Sequence, residues 1–261
     1  MRPVTVLRSR DNPRVRRWAK LVRDSSLRRR ERRAILEGPH LLAALLEQGM
    51  KPVSVFATEN GLARDEIKAL VLEAGAEPVV LSESLFRAIA DAESPPGIAA
   101  EIEIPETKTQ SVSQCVFLEG VQDPSNVGAI VRSAAAFGVG EVVLDRSCAD
   151  LWSPRALRAG MGGHFRLSLR VSGDLGAEIG RFEGTPVCTV ARGGVSLRQA
   201  DLGGRLGWIF GAEGQGVSPA LQRRAALRIT IPTAAGTESI NVAAAAAICL
   251  HAAFSRPAAG S

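Results

Sequence analysis

Between Val116 and Gly138 the chain reads VFLEG, then VQDPSN, then VGAIVRSAAAFG, which is a short apolar strand, a polar turn and a helix. This pattern restricts the fold more than any other part of the sequence, because a buried strand feeding a helix needs a second strand beside it. Val127, Ile130, Val131, Ala134 and Phe137 recur at helical spacing and predict a buried stripe. Gly128, Arg132, Ala135 and Ala136 form a neighbouring face of small side chains around one cation. Pro124 ends the strand, Ser125 or Asn126 can cap the helix, and its first free amides point at whatever lies beyond the turn.

The same alternation extends along the chain. From Arg14 to Ile104 a basic helix, strands at Ala34 to Leu36, Val53 to Phe56, Pro78 to Leu81 and Ile98 to Ile104, and intervening helices predict a compact α/β unit. PETKTQSVSQ, from Pro105 to Gln114, has linker composition. The expected division is therefore a domain over 1–104, a linker over 105–114, a second domain over 115–255 and a flexible tail over 256–261. The second domain has strands at Val116 to Leu118, Glu141 to Leu144, Arg166 to Val171, Pro186 to Val190, Leu206 to Phe210 and Leu227 to Ile231, then a helix from about Ile240 to Phe254. Helices between strands predict a mainly parallel sheet, whose ligands sit at the carboxyl ends of its strands.

The net positive charge belongs to one end. Residues 1–33 carry a net charge of +10, while the whole chain carries only +5. Arg14, Arg16, Arg17, Arg28, Arg29 and Arg30 in this block, with Arg155 and Arg158 later on, are the expected contacts to the phosphates of an anionic polymer. A transit peptide or a solvated helix face is the competing reading of the block. With 4% aromatic residues and no Tyr, recognition should rest on phosphates and shape rather than base stacking. Met1, Arg2 and Pro3 lead into more arginines rather than an apolar signal segment, and Val242 to Leu250 is too short to span a bilayer, so a cytoplasmic protein without a membrane anchor is expected. Cys115, Cys148, Cys188 and Cys249 share no ligand spacing with His40, His164 or His251, so neither a disulfide framework nor a metal site is expected.

Two further strand-end loops carry chemistry. Gly211-Ala212-Glu213-Gly214-Gln215-Gly216 brackets one acid with three glycines and runs into Ser218-Pro219, a helix start. Pro232 to Asn241 leads into the last helix, with Ser239 as the expected N-cap and Asn241 in the first turn. DPSNVGAIVRSAAAFGV, IFGAEGQGVS and IPTAAGTESINVAAAAAICL, in this order, resemble the three motifs of the SpoU (TrmH-like) RNA ribose 2′-O-methyltransferases of the SPOUT superfamily, over residues 116–254. Residues 1–102 resemble, more loosely, the L30e-like substrate-binding domain of many members.

The resemblance implies a C-terminal sheet tied in a trefoil knot, a homodimer, and S-adenosylmethionine bound by Gly211, Ala212, Glu213, Gly214, Ile231, Pro232, Ile240 and Asn241. It implies catalytic roles for Asn126, Arg132, Glu213, Ser239 and Asn241, and RNA as substrate, ribosomal in preference to transfer RNA. A guanidinium stays protonated at neutral pH, so Arg132 is read as a clamp on phosphate and alkoxide rather than a base. The proton is left to a phosphate oxygen, water or Glu213. The alternative reading is an RNA-binding or ribosome-assembly protein on the same fold without turnover. Ala212 and Ala159-Gly160 depart from the family's usual residues, Asn and Ala-Ser before glycine, and leave substrate contacts there open.

Overall fold

The computed structural model describes residues 6–107, 114–235 and 239–255. The expected linker and tail lie largely or wholly outside these. The described residues form two compact units. One comprises residues up to Glu106 together with Asp150–Phe165, and the other comprises Thr107–Ala149 and the residues from Arg166 onward. The segment 150–165, read from sequence as part of the second domain, therefore clusters with the first.

The first unit opens with helices α1 (Pro13–Arg23) and α2 (Ser25–Glu31), followed by β1 (Arg33–Glu37), α3 (Pro39–Glu47) and β2 (Ser54–Thr58). Then come α4 (Glu59–Ala63), α5 (Asp65–Ala74), β3 (Val79–Leu81), α6 (Glu83–Ile89) and β4 (Ile98–Glu103). Its sheet has the order β1-β4-β2-β3, with β4 antiparallel to both neighbours and β2 parallel to β3. The basic helix of the sequence is two helices because Asp24, accepting from the amides of Ser26 and Leu27, ends one and caps the next. Val15, Trp18, Leu21 and Val22 turn one face of α1 into the core, where Trp18 stacks on Phe56 at 4.2 Å and donates its Nε1–H to Glu101.

Arg28 is only 4% exposed. Its guanidinium donates to the carbonyls of Leu21 and Val22, which the end of α1 leaves open, and pairs with Asp150 at 2.7 Å. Asp150 precedes α8 (Pro154–Gly160) and a short 3-10 turn, Gly163–Phe165, both in this unit.

His164 in that turn is buried beside Trp152, with Nε2 on the Leu151 carbonyl at 2.9 Å and Nδ1 without a partner. Burial pushes its pKa down to about 4. The unfolded chain takes up this proton near pH 6.5 and the folded chain does not, so nothing is lost above that pH. Stability falls as pH drops from about 6.5 to about 4, by roughly 3 kcal/mol, and levels off below. Urea titrations across this range should show that loss, and His164→Leu should flatten it.

The second unit contains β5 (Gln114–Leu118), α7 (Pro124–Ala136), β6 (Glu141–Asp145), β7 (Ser168–Ser172), α9 (Leu175–Arg181), β8 (Thr185–Thr189) and β9 (Val195–Ser196). After these come β10 (Leu206–Phe210), α10 (Pro219–Gln222), β11 (Leu227–Thr230) and α11 (Val242–Phe254). All pairings are parallel, in the order β7-β6-β5-β10-β8-β11-β9. Cys115, Phe117, Val143, Cys188 and Ile209 make one buried face with Leu175 and Ile179 of α9. From β5 the chain proceeds to β6 on one side, and from β10 it proceeds to β11 on the other. This reversal opens a crevice at the carboxyl ends of β5 and β10.

Candidate active site

Three loops of the second unit converge on that crevice. At the start of α7 the cap is Asp123, whose carboxylate accepts from the Ser125 amide, so Asn126 lies inside the first turn with its amide free for other work. At the start of α11 the cap is Asn241, accepting from the amides of Ala243 and Ala244, and Ser239 lies ahead of it. Both correct the sequence expectation, which had Ser125 or Asn126 capping α7, Ser239 capping α11 and Asn241 in the first turn. Neighbouring Asp, Ser and Asn all suit a cap, and only the backbone geometry chooses among them.

Glu213, after β10, accepts from the Asn126 Nδ2 at 2.8 Å and from the backbone amide of Gln122 at 3.2 Å. Asn126 Oδ1 accepts in turn from the Asn241 Nδ2 at 3.0 Å. The chain of donors is self-consistent. A carboxylate only accepts, which turns the Asn126 NH₂ toward Glu213, and the Asn241 oxygen is already used as a helix cap. Partial burial pushes the Glu213 carboxyl up. Hydrogen bonds from Asn126 and from the backbone amides of Glu213, Gln122 and Asp123 outweigh it and hold the group below the usual carboxylate range. Such a carboxylate is a poor base at neutral pH and a good anchor for Asn126.

Two cavities meet at this network. One, of about 650 Å³, is lined by Gly211, Ala212, Glu213, Gly214, Ile231, Ser239, Ile240 and Asn241. The other, of about 500 Å³, is lined by Gly120, Gln122, Asp123 and Asn126, and shares Ala212, Glu213 and Gln215 with the first. Every cofactor residue expected from the sequence except Pro232 is on the wall of the larger cavity. Gly211 is required for a reason other than ligand approach. A methyl group there would stand 2.0 Å from the Gly216 carbonyl carbon, where the loop folds back and the Gly216 amide bonds to the Ala212 carbonyl. Gly211→Ala should therefore open the loop and weaken S-adenosylmethionine binding by about tenfold or more, read by calorimetric titration.

Over residues 113–251 the chain matches the SpoU rRNA Methylase family, and over 12–100 the MRM3-like substrate binding domain. The 23S rRNA (guanosine(2553)-2′-O)-methyltransferase RlmP of Bacillus subtilis (strain 168) is 31% identical over 249 residues, which span 94% of this chain and 97% of that protein. The chain belongs to the SpoU rRNA methylase family. The mitochondrial rRNA methyltransferase 3 of Homo sapiens is 29% identical over 162 residues, 57% of this chain and 37% of that protein. The AdoMet-bound rRNA methyltransferase from Sinorhizobium meliloti matches with a TM-score of 0.81 at 25% identity, over 95% of this chain and 97% of that one.

Not every expected site residue of this SpoU-family chain joins the network. Arg132 is exposed on α7, six residues and about 9 Å along the axis from Asn126. Among the described residues it lines neither cavity and makes no hydrogen bond or ion pair. In the first unit Arg28 is committed to Asp150 and the end of α1, which removes it from the expected phosphate contacts. Arg17 pairs with Glu31 and Glu101, and Arg158 with Glu37 and Asp91. Arg14, Arg16, Arg29, Arg30 and Arg155 are exposed, and Arg14 lies over the Trp18 ring at 5.3 Å. Sequence reading missed the loop from Val190 to Gly193 and residue Arg228, which also line the larger cavity. The signal was Ala-Arg-Gly-Gly directly after a strand, the same mixture of glycine and polar side chain seen in the other loops.

Proposed function

We propose that this chain transfers the methyl group of S-adenosylmethionine to a ribose 2′-hydroxyl of ribosomal RNA. The observation that carries this reading is the Glu213–Asn126–Asn241 network standing between two cavities, the larger combining glycine backbone and an apolar wall with polar and cationic side chains, the smaller lined mainly by polar groups. The larger cavity fits the cofactor: its volume is that of a small-molecule site, with Val190, Ile231, Ile240 and Val242 as apolar wall. When bound, S-adenosylmethionine supplies a methyl group already activated by its sulfonium charge.

The protein has to position and stabilise. Asn126, held by Glu213 on one side and Asn241 on the other, orients the ribose that enters the smaller cavity. Bonding of O2′ to that methyl carbon would break the carbon–sulfur bond and leave its electron pair on sulfur. The 2′-hydroxyl proton leaves to water or a phosphate oxygen, since Glu213 has both oxygens engaged and a depressed pKa. Protonated Arg132 stabilises the developing alkoxide.

Arg132 reaches that role in a homodimer. α11 is apolar apart from His251, yet Ile248 and Phe254 are 42% and 59% exposed, with Phe254 against Phe137 at the end of α7. A second copy covers this helix pair and puts Arg132 at the subunit boundary. The trefoil knot belongs to the same reading, supported by β11 lying between β8 and β9, so that the short β8–β9 connection crosses it. Phosphate contacts from Arg14, Arg16, Arg29 and Arg30 hold and position the RNA. The reaction takes place in the cytoplasm and uses no metal; among the described residues no helix is long and apolar enough to cross a membrane.

Incorporation of tritiated methyl from S-adenosylmethionine into ribosomal RNA tests the reading. Arg132→Ala should lower it by about 100-fold or more. Undiminished transfer would remove Arg132 from the reaction, and a methylated base in nucleoside mass spectrometry would replace ribose by base chemistry.

A further inference from the structure

The larger cavity carries more positive charge than the chemistry above uses. Among its described wall residues Glu213 is the one acid, and its charge is already shared with Asn126 and the Gln122 amide. Arg192 and Arg228 are the two cations, both exposed, and neither makes a hydrogen bond or ion pair among the described residues. One comes from the loop after β8 and the other from β11, on touching backbone. The loop after β8 crosses β11 so tightly that a methyl group on Gly194 would lie 2.8 Å from the Arg228 carbonyl oxygen, and the Gly194 amide bonds to the Thr230 hydroxyl at 3.0 Å. Two unpaired guanidinium groups on adjoining backbone, opening into one cavity, are an anion site.

The class of anion follows from the cavity that the arginines share. Neither lines the smaller cavity, where Asn126 would meet the ribose, so the charge belongs to the ligand of the larger one. Resting on the proposed cofactor, we infer that Arg192 and Arg228 bind the α-carboxylate of S-adenosylmethionine. They fix its amino-acid end by charge, while glycine backbone and apolar residues hold the remainder. The nucleoside alone then occupies the cavity without this anchor.

Calorimetric titration of the full chain with S-adenosylmethionine and with 5′-methylthioadenosine, which keeps the nucleoside and lacks the amino-acid end, separates the contributions. Replacing both arginines, Arg192→Gln with Arg228→Gln, should weaken S-adenosylmethionine roughly 10- to 100-fold and leave 5′-methylthioadenosine within about twofold. Unchanged binding of both ligands would overturn the inference and assign the arginines to RNA phosphate or solvent. An equal loss for both would overturn it too, as the mark of a deformed cavity. Failure of the cofactor reading itself would show differently, as a wild-type chain that binds no S-adenosylmethionine.

Discussion

Asn126→Asp should lower methyl transfer by roughly 10²- to 10³-fold while changing S-adenosylmethionine affinity by no more than about threefold. The substitution keeps the shape of the side chain and removes its NH₂, so two carboxylates face each other across the 2.8 Å now spanned by the bond from Asn126 to Glu213. Such a pair retains one proton, and its apparent pKa rises well above that of the wild-type Glu213, which hydrogen bonds hold down. The variant's residual rate should therefore increase as pH falls through the range where the pair gains that proton, while the wild type shows no such rise. Single-turnover rates across pH, beside calorimetric titrations, make the comparison. A variant that loses the cofactor instead of the rate would make the network part of the cofactor's seat.

Arg28→Ala should cost about 3–5 kcal/mol of stability, the range for removing one partner of a buried ion pair. Truncation strands the Asp150 carboxylate and uncovers two carbonyls at the end of α1 in the same step. Arg28→Met combined with Asp150→Leu removes both charges together, so it should recover most of that loss. Urea denaturation of the three proteins decides the matter. A single variant within about 1 kcal/mol of wild type would mean that water solvates the pair after all.

The two predictions rest on residues that were unequally readable. Asn126, Glu213 and Asn241 stand out in sequence because each is a polar residue beside glycine or at a helix start, in a loop that follows an apolar strand. Their hydrogen bonds to one another could not be read, since they join residues 87 and 115 positions apart. Strand positions such as Leu206–Phe210 were legible because a strand buried on both faces leaves an uninterrupted apolar word. Not every short element was. α9, Leu175–Arg181, has too few residues for helical periodicity to emerge. Arg28 was taken for one of many equivalent cations, because burial of a charge depends on a partner, Asp150, that lies 122 residues away. Arg132 shows the opposite case: its motif was plain, and within the described residues it stands exposed on α7, away from the network.

The path of residues 150–165 has a consequence for how such enzymes can be recombined. The chain leaves the methyl-transfer unit after Ala149, completes the N-terminal unit and returns at Arg166. An N-terminal unit grafted from a relative by a junction near residue 105 alone would arrive without Asp150 and α8, and would meet a foreign α8 in their place. Exchange of the N-terminal unit between relatives thus requires two segments to travel together, which ties its inheritance to a stretch encoded inside the half that matches the SpoU family.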